Sequence, residues 1–192
     1  MITARFVKPT SPAFLVTPDA SLPLAENAPA SSLMTDFAIR APATVFADRH
    51  IGAALNDMIL AGVRALVVVE DGQVIGLITA YDILGEKPIK LLQSPMCRGN
   101  PCTRDEIVVG DIMTQLGSLE TLELSWVLQS TAKDLAAVFA SKACTHMFVM
   151  EAGDQSGVRS IRALISRTQI ERHLGTVSRF SLGGMDIAAM NG

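Results

Sequence analysis

Gly76-Leu77-Ile78-Thr79-Ala80-Tyr81-Asp82 is an apolar run that ends on a hydroxyl residue, with an acid three places beyond it. A weaker copy returns later in the chain: Arg162-Ala163-Leu164-Ile165-Ser166-Arg167-Thr168-Gln169. In both, the pattern predicts a strand running into a helix that opens at the hydroxyl, because Thr and Ser favour the helix N-cap. The lead-in is shared too: Met34-Thr35 or Met113-Thr114, a short extended piece, an amphipathic helix and an apolar strand. A unit written twice predicts two half-domains that bury a common core. A hydroxyl at a strand-to-helix junction is a natural phosphate contact, so function is expected at these strand ends.

Working outward, Ala43-Thr44-Val45-Phe46 reads as a short strand and Asp48 as the N-cap of a helix. That helix places Ile51, Leu55, Met58, Ile59 and Gly62 on one face, and Gly62 suits its left-handed stop. Residues 65–69 are continuously apolar, as in a strand covered on both faces. Asp71-Gly72 signals a hairpin turn into a return strand over 74–78. In the second copy the short strand falls at 121–124. A helix follows with Leu128, Ala132, Leu135, Ala136 and Phe139 on one face. A strand over 146–150, a return strand over 161–165 and a closing helix over 169–174 complete it. Each unit is thus β-α-β-β-α, and the fold class is α+β, with helices packed on mixed sheets. The expected organisation is an N-terminal arm (1–30), repeat one (31–87), a Pro-containing linker (88–108), repeat two (109–174) and a C-terminal tail (175–192).

Composition narrows the function. Of the 192 residues 49% are hydrophobic and 18% charged, enough apolar material for a real core. The net charge is −3 and no run of Lys or Arg forms a patch, so no nucleic-acid partner is expected. No stretch approaches the ~18 consecutive apolar residues of a membrane span, and a cytoplasmic protein is expected. Three cysteines are too few for a disulfide framework. Cys97 and Cys102 read as free linker thiols, a disulfide being disfavoured in a reducing compartment. No metal-ligand set stands out, and the scattered His50, His146 and His173 pair with no nucleophile motif, P-loop or dinucleotide fingerprint. An enzyme is not expected.

The order of elements, the Leu33-Met34-Thr35 and Ile112-Met113-Thr114 openings, and Gly76-Leu77-Ile78-Thr79-Ala80-Tyr81-Asp82 resemble cystathionine-β-synthase (CBS) domains in tandem, the Bateman module. The likeness spans roughly residues 31–174 and is specific in repeat one. In repeat two Gln169 replaces the acid, Ala163 stands where Gly76 does, and the signature is degraded. The resemblance implies a stand-alone CBS pair with pseudo-twofold symmetry and two clefts. It further implies a homodimer, an adenosine-containing ligand (AMP, ADP, ATP or S-adenosylmethionine) and an effector protein that responds to it. No other cofactor is implied.

Under that resemblance the ligand is expected in repeat one. Thr79 and the following amides would hold phosphate at the helix start. Asp82 would accept hydrogen bonds from the ribose hydroxyls. Ala43, Thr44, Val45, Ala65 and Leu66 would wall the base, Arg64 would reach the phosphates or stack on the base, and Gly76 would allow close backbone approach or a locally bent strand. A plain N-cap at Thr79 and an ordinary first-turn acid at Asp82 fit the same residues. The weaker second set is Thr145, His146, Ser166 and Gln169, with Arg167 as a further phosphate contact or an exposed helix-start residue. The alternative function is an adaptor whose clefts bind nothing.

Overall fold

The computed structural model describes residues 27–98, 103–153 and 159–174. Most of the expected arm and all of the expected tail lie outside them. The chain enters through a 3-10 turn (Ala30–Leu33) and β1 (Thr35–Asp36). Unit one follows as β2 (Thr44–Phe46), α1 (Ile51–Ala61), β3 (Ala65–Glu70), β4 (Gln73–Thr79) and α2 (Ala80–Leu84). The connection holds α3 (Lys87–Leu92), α4 (Pro95–Arg98) and a 3-10 turn (Arg104–Glu106). It leads to α5 (Val109–Ile112) and β5 (Thr114–Gln115). Unit two is β6 (Thr121–Glu123), α6 (Leu124–Gln129), α7 (Ala132–Ser141), β7 (His146–Glu151), β8 (Ser160–Ser166) and α8 (Arg167–His173).

Two four-stranded mixed sheets result, ordered β2-β3-β4-β5 and β6-β7-β8-β1. In each, the short first strand of the unit runs parallel to the next, and the hairpin is antiparallel. Even the irregularities repeat: the ladder shifts register at Val68/Val69 and again at Val149/Met150. Asp71 and Gly72 turn the first hairpin with φ of 48° and 76°, the left-handed pair such a turn demands.

Strand periodicity divides the core. Leu66 and Val68 face the helices of unit one, whereas Val67 faces the other way. There it meets Leu77 and Phe148, so the two sheets share an apolar seam. The outer cores gather Ile51, Met58, Ile78 and Ile83 in one unit and Leu135, Phe139, Met147 and Ile165 in the other.

Four expectations change. The repeat boundaries drawn along the chain are not those in space. Ala30, Leu33 and β1 join unit two, while Val109, Ile112 and β5 join unit one, so each opening segment crosses to its neighbour. The N-cap of α1 is His50 rather than Asp48. The single helix expected through Leu128 and Phe139 is two helices. Thr131 caps the second, its hydroxyl accepting from the Asp134 amide while the Asp134 carboxylate accepts from the Thr131 amide, and Leu128 is left exposed. In the connection, Cys97 is disulfide-bonded, contrary to the free thiol expected there; Cys102 lies outside the described residues and Cys144 is free. None of the helices among the described residues is long and apolar enough to cross a membrane.

Candidate functional site

Thr79 and Asp82 do meet at the end of β4, but they satisfy each other. The Thr79 hydroxyl accepts the Asp82 amide at 3.2 Å. Asp82 Oδ2 accepts the Thr79 amide at 2.8 Å and the Thr79 hydroxyl at 2.7 Å. The remaining oxygen, Oδ1, takes the Lys87 ammonium at 2.8 Å. Lys87 is itself fixed by the Ile112 carbonyl at 2.8 Å and the Thr114 hydroxyl at 3.1 Å. Thr79 is only 6% exposed. This is a capping box closed by a cation, with both carboxylate oxygens engaged.

Other members of the repeat-one set are also spoken for. Val45 and Leu66 are buried in the core of unit one. Gly76 is required by packing. A Cβ there would lie 2.6 Å from the Thr114 carbonyl oxygen and 3.0 Å from Met113 Sδ, so the glycine lets β5 cross rather than a ligand approach.

The cleft forms elsewhere, between the units. Its volume is about 380 Å³, within the ~300–1,000 Å³ usual for small-molecule sites. Repeat one supplies Pro42, Ala43, Arg64, Ala65 and Tyr81. Repeat two supplies His146, Ser166, Thr168, Gln169, Arg172 and His173. The crossed-over segment supplies Thr35, Phe37 and Arg40. Ala43, Arg64 and Ala65 thus share this cleft with Ser166 and Gln169 of the other repeat and with Tyr81 of their own motif, whereas Thr79 and Asp82 do not line it. Thr44 and Thr145 are exposed and do not line this cleft.

Each wall has a local cause. The Ala43 carbonyl accepts the Val67 amide at 2.9 Å, which sets the β2 entry beside β3, and the Arg64 carbonyl accepts the Ala80 amide at 2.9 Å, which ties the β3 entry to the junction of β4 and α2. Ser166 caps α8 by accepting the Gln169 amide at 3.2 Å, leaving the Gln169 side chain at the cleft. Phe37 and Arg40 arrive because β1 is clasped to β8: Arg162 donates to the Asp36 carboxylate at 2.8 and 3.0 Å. The Arg162 guanidinium holds the Asp36 carboxyl below the ordinary carboxylate range.

Arg167 is not a phosphate contact. Its guanidinium donates to the carbonyls of Phe139, Lys142 and Cys144 and lies 5.7 Å from the centre of the Phe139 ring. It ties the end of α7 to α8. His146 is half-buried, with Nδ1 3.0 Å from the Thr145 hydroxyl. Burial lowers its pKa, and the Asp82 carboxylate partly opposes that shift. Arg40, Arg172, Tyr81 and Phe37 were not among the expected site residues. For Arg40 and Phe37 no local signal exists, since the crossover that brings them is long-range. Arg172 lies one helical turn beyond Gln169, a spacing that puts it on the same side.

Residues 31–88 match the family model of the CBS domain. A search of curated proteins finds no match to the chain. Among solved structures the chain is similar to CBSX2 in complex with AMP, at 18% identity over 79% of this chain and 99% of that one, with a TM-score of 0.51. It is also similar to a conserved protein from Pyrococcus horikoshii (20% identity, 83% and 100% covered, TM-score 0.50). A third is MJ1225 from Methanocaldococcus jannaschii (20% identity, 80% and 49% covered, TM-score 0.51). At these identities the likeness establishes the fold.

Proposed function

We propose that this chain, whose residues 31–88 match the CBS-domain model and whose fold is that of CBS-pair structures, is a regulatory module that binds an adenosine nucleotide in the cleft between its repeats and signals occupancy to a partner protein. The base packs against Ala43 and Ala65, the ribose meets Ser166 and Gln169, and Arg64 attends the phosphates. The observation that carries this reading is the joining of those two half-sets of residues around one open cavity. The AMP bound in CBSX2 is consistent with it. In this scheme the module is non-catalytic, cytoplasmic and homodimeric. Exposed Ile59 and Leu60 on α1 and Leu84 at the end of α2 offer an apolar face for the second copy.

The adaptor reading keeps one supporting observation, the closure of the Thr79–Asp82 motif by Lys87. Calorimetric titration with ATP, ADP and AMP, backed by thermal shift, separates the two. A ligand at 100 times its Kd stabilises the fold by about 2.7 kcal/mol. Gln169→Ala together with Ser166→Ala weakens binding, and Asp82→Asn leaves it in place. If no adenosine nucleotide binds, the adaptor reading stands. If Asp82→Asn abolishes binding while the repeat-two variant does not, the ligand sits in the other cleft.

A further inference from the structure

The charges around the cleft are one-sided. Arg40, Arg64 and Arg172 all line it. Their guanidinium groups make no hydrogen bond or ion pair among the described residues. Among the described residues no Asp or Glu lines the cavity. Asp36 and Asp82, which flank cleft-lining Phe37 and Tyr81, are already engaged, Asp36 by Arg162 and Asp82 by Thr79 and Lys87. Where a sugar-binding acid would stand in repeat two, the chain carries neutral Gln169.

We infer that this cleft selects its ligand by charge: it takes a nucleoside di- or triphosphate in preference to a monophosphate and rejects the sulfonium cation of S-adenosylmethionine. The inference deepens the nucleotide reading above and rests on it for the nucleoside half of the ligand. Arginine suits the task because its planar fork pairs two phosphate oxygens at once and never loses its charge. Three such groups from three segments of chain exceed what one phosphate can occupy with good geometry. A second or third phosphate gives the remaining forks partners. A sulfonium ligand brings a positive charge into a cavity without an acid to receive it, and like charges brought together oppose binding.

Titration calorimetry on the full chain tests this with ATP, ADP, AMP, S-adenosylmethionine and inorganic tripolyphosphate. We expect ATP or ADP to bind about tenfold or more tighter than AMP, the size of one added charge-assisted contact. S-adenosylmethionine gives no measurable heat, and added salt weakens ATP more than AMP. Arg64→Gln and Arg172→Gln, both at exposed positions, reduce the preference for ATP over AMP while leaving the melting temperature unchanged. Equal or tighter binding of AMP or of S-adenosylmethionine overturns the charge inference and leaves the nucleotide reading intact. Binding of tripolyphosphate that is lost in the arginine variants, without binding of any adenosyl compound, upholds the polyanion site and overturns the nucleotide reading. Failure of all five ligands overturns both.

Discussion

The two copies of one motif differ in what their side chains are left to do. Thr79-Ala80-Tyr81-Asp82 keeps its hydroxyl and acid, yet both are consumed by each other and by Lys87. Ser166-Arg167-Thr168-Gln169 has lost the acid, yet Ser166 and Gln169 line the open cleft. A signature is therefore a statement about residue types, and availability is decided by neighbours it does not include. Lys87 is such a neighbour, and its counterpart by position after the second motif is apolar Leu174. An acid with two satisfied oxygens would have to give up an ion pair before it could accept from a sugar.

The largest effect expected from the comparison is on folding. Gly76 and Ala163 occupy equivalent places, each opposite a crossed-over strand: Gly76 pairs with Gln115 and Ala163 with Asp36. Only the first is too tight for a side chain, its would-be Cβ lying 2.6 Å from backbone at Thr114. Gly76→Ala should cost about 1–3 kcal/mol through displacement of β5. Ala163→Gly should cost about 0.5–1 kcal/mol, the usual penalty of glycine in a strand interior. Urea denaturation of both variants checks the ratio. Equal costs would mean that the two crossovers are packed alike.

A smaller effect concerns affinity. Gln169→Asp restores the acid in the copy that faces the cavity, without a lysine placed to neutralise it. Unphosphorylated adenosine should bind that variant about tenfold tighter, because an ionised acceptor makes a stronger hydrogen bond than an amide. Titration with adenosine reads this directly. An unchanged Kd would show that position 169 does not face the sugar, and the contrast between the copies would lose its functional half.

Much of this molecule could be read along the chain because its signals are local. The hairpin at Asp71-Gly72, the helix stop at Gly62 and the alternation in 65–69 need only neighbours a few residues away. The duplication itself fixed the fold class. What could not be read was which half-sites face each other. That depends on β1 pairing with β8 and β5 with β4, contacts between segments far apart in sequence. For this reason the sequence groups Ala43, Arg64 and Ala65 with Thr79 and Asp82, whereas in the structure they line a cleft with Ser166 and Gln169. The break between α6 and α7 was legible: Thr131 and Asp134 have capping-box spacing, but the 3.6-residue apolar pattern runs straight through them.

The smallest effect tests whether the two motifs sense each other across the molecule. His146 opens β7 opposite Ser166, so it belongs to repeat two, yet the carboxylate acting on it is Asp82 of repeat one. Burial lowers its pKa from the usual value near 6.5, and Asp82 opposes the shift. A histidine depressed in the folded state is neutral in both states near pH 7. As pH falls through about 6.5, the unfolded chain takes up the proton first, so stability declines until the folded pKa is passed. The ring proton resonances should therefore titrate with a midpoint below 6.5. Asp82→Asn removes the charge that favours imidazolium and should move the midpoint lower still, whereas Gln169→Ala removes no charge and should leave it nearly unchanged. A midpoint indifferent to Asp82→Asn would mean that the closed motif is electrostatically silent toward its neighbour, its carboxylate fully spent on Thr79 and Lys87.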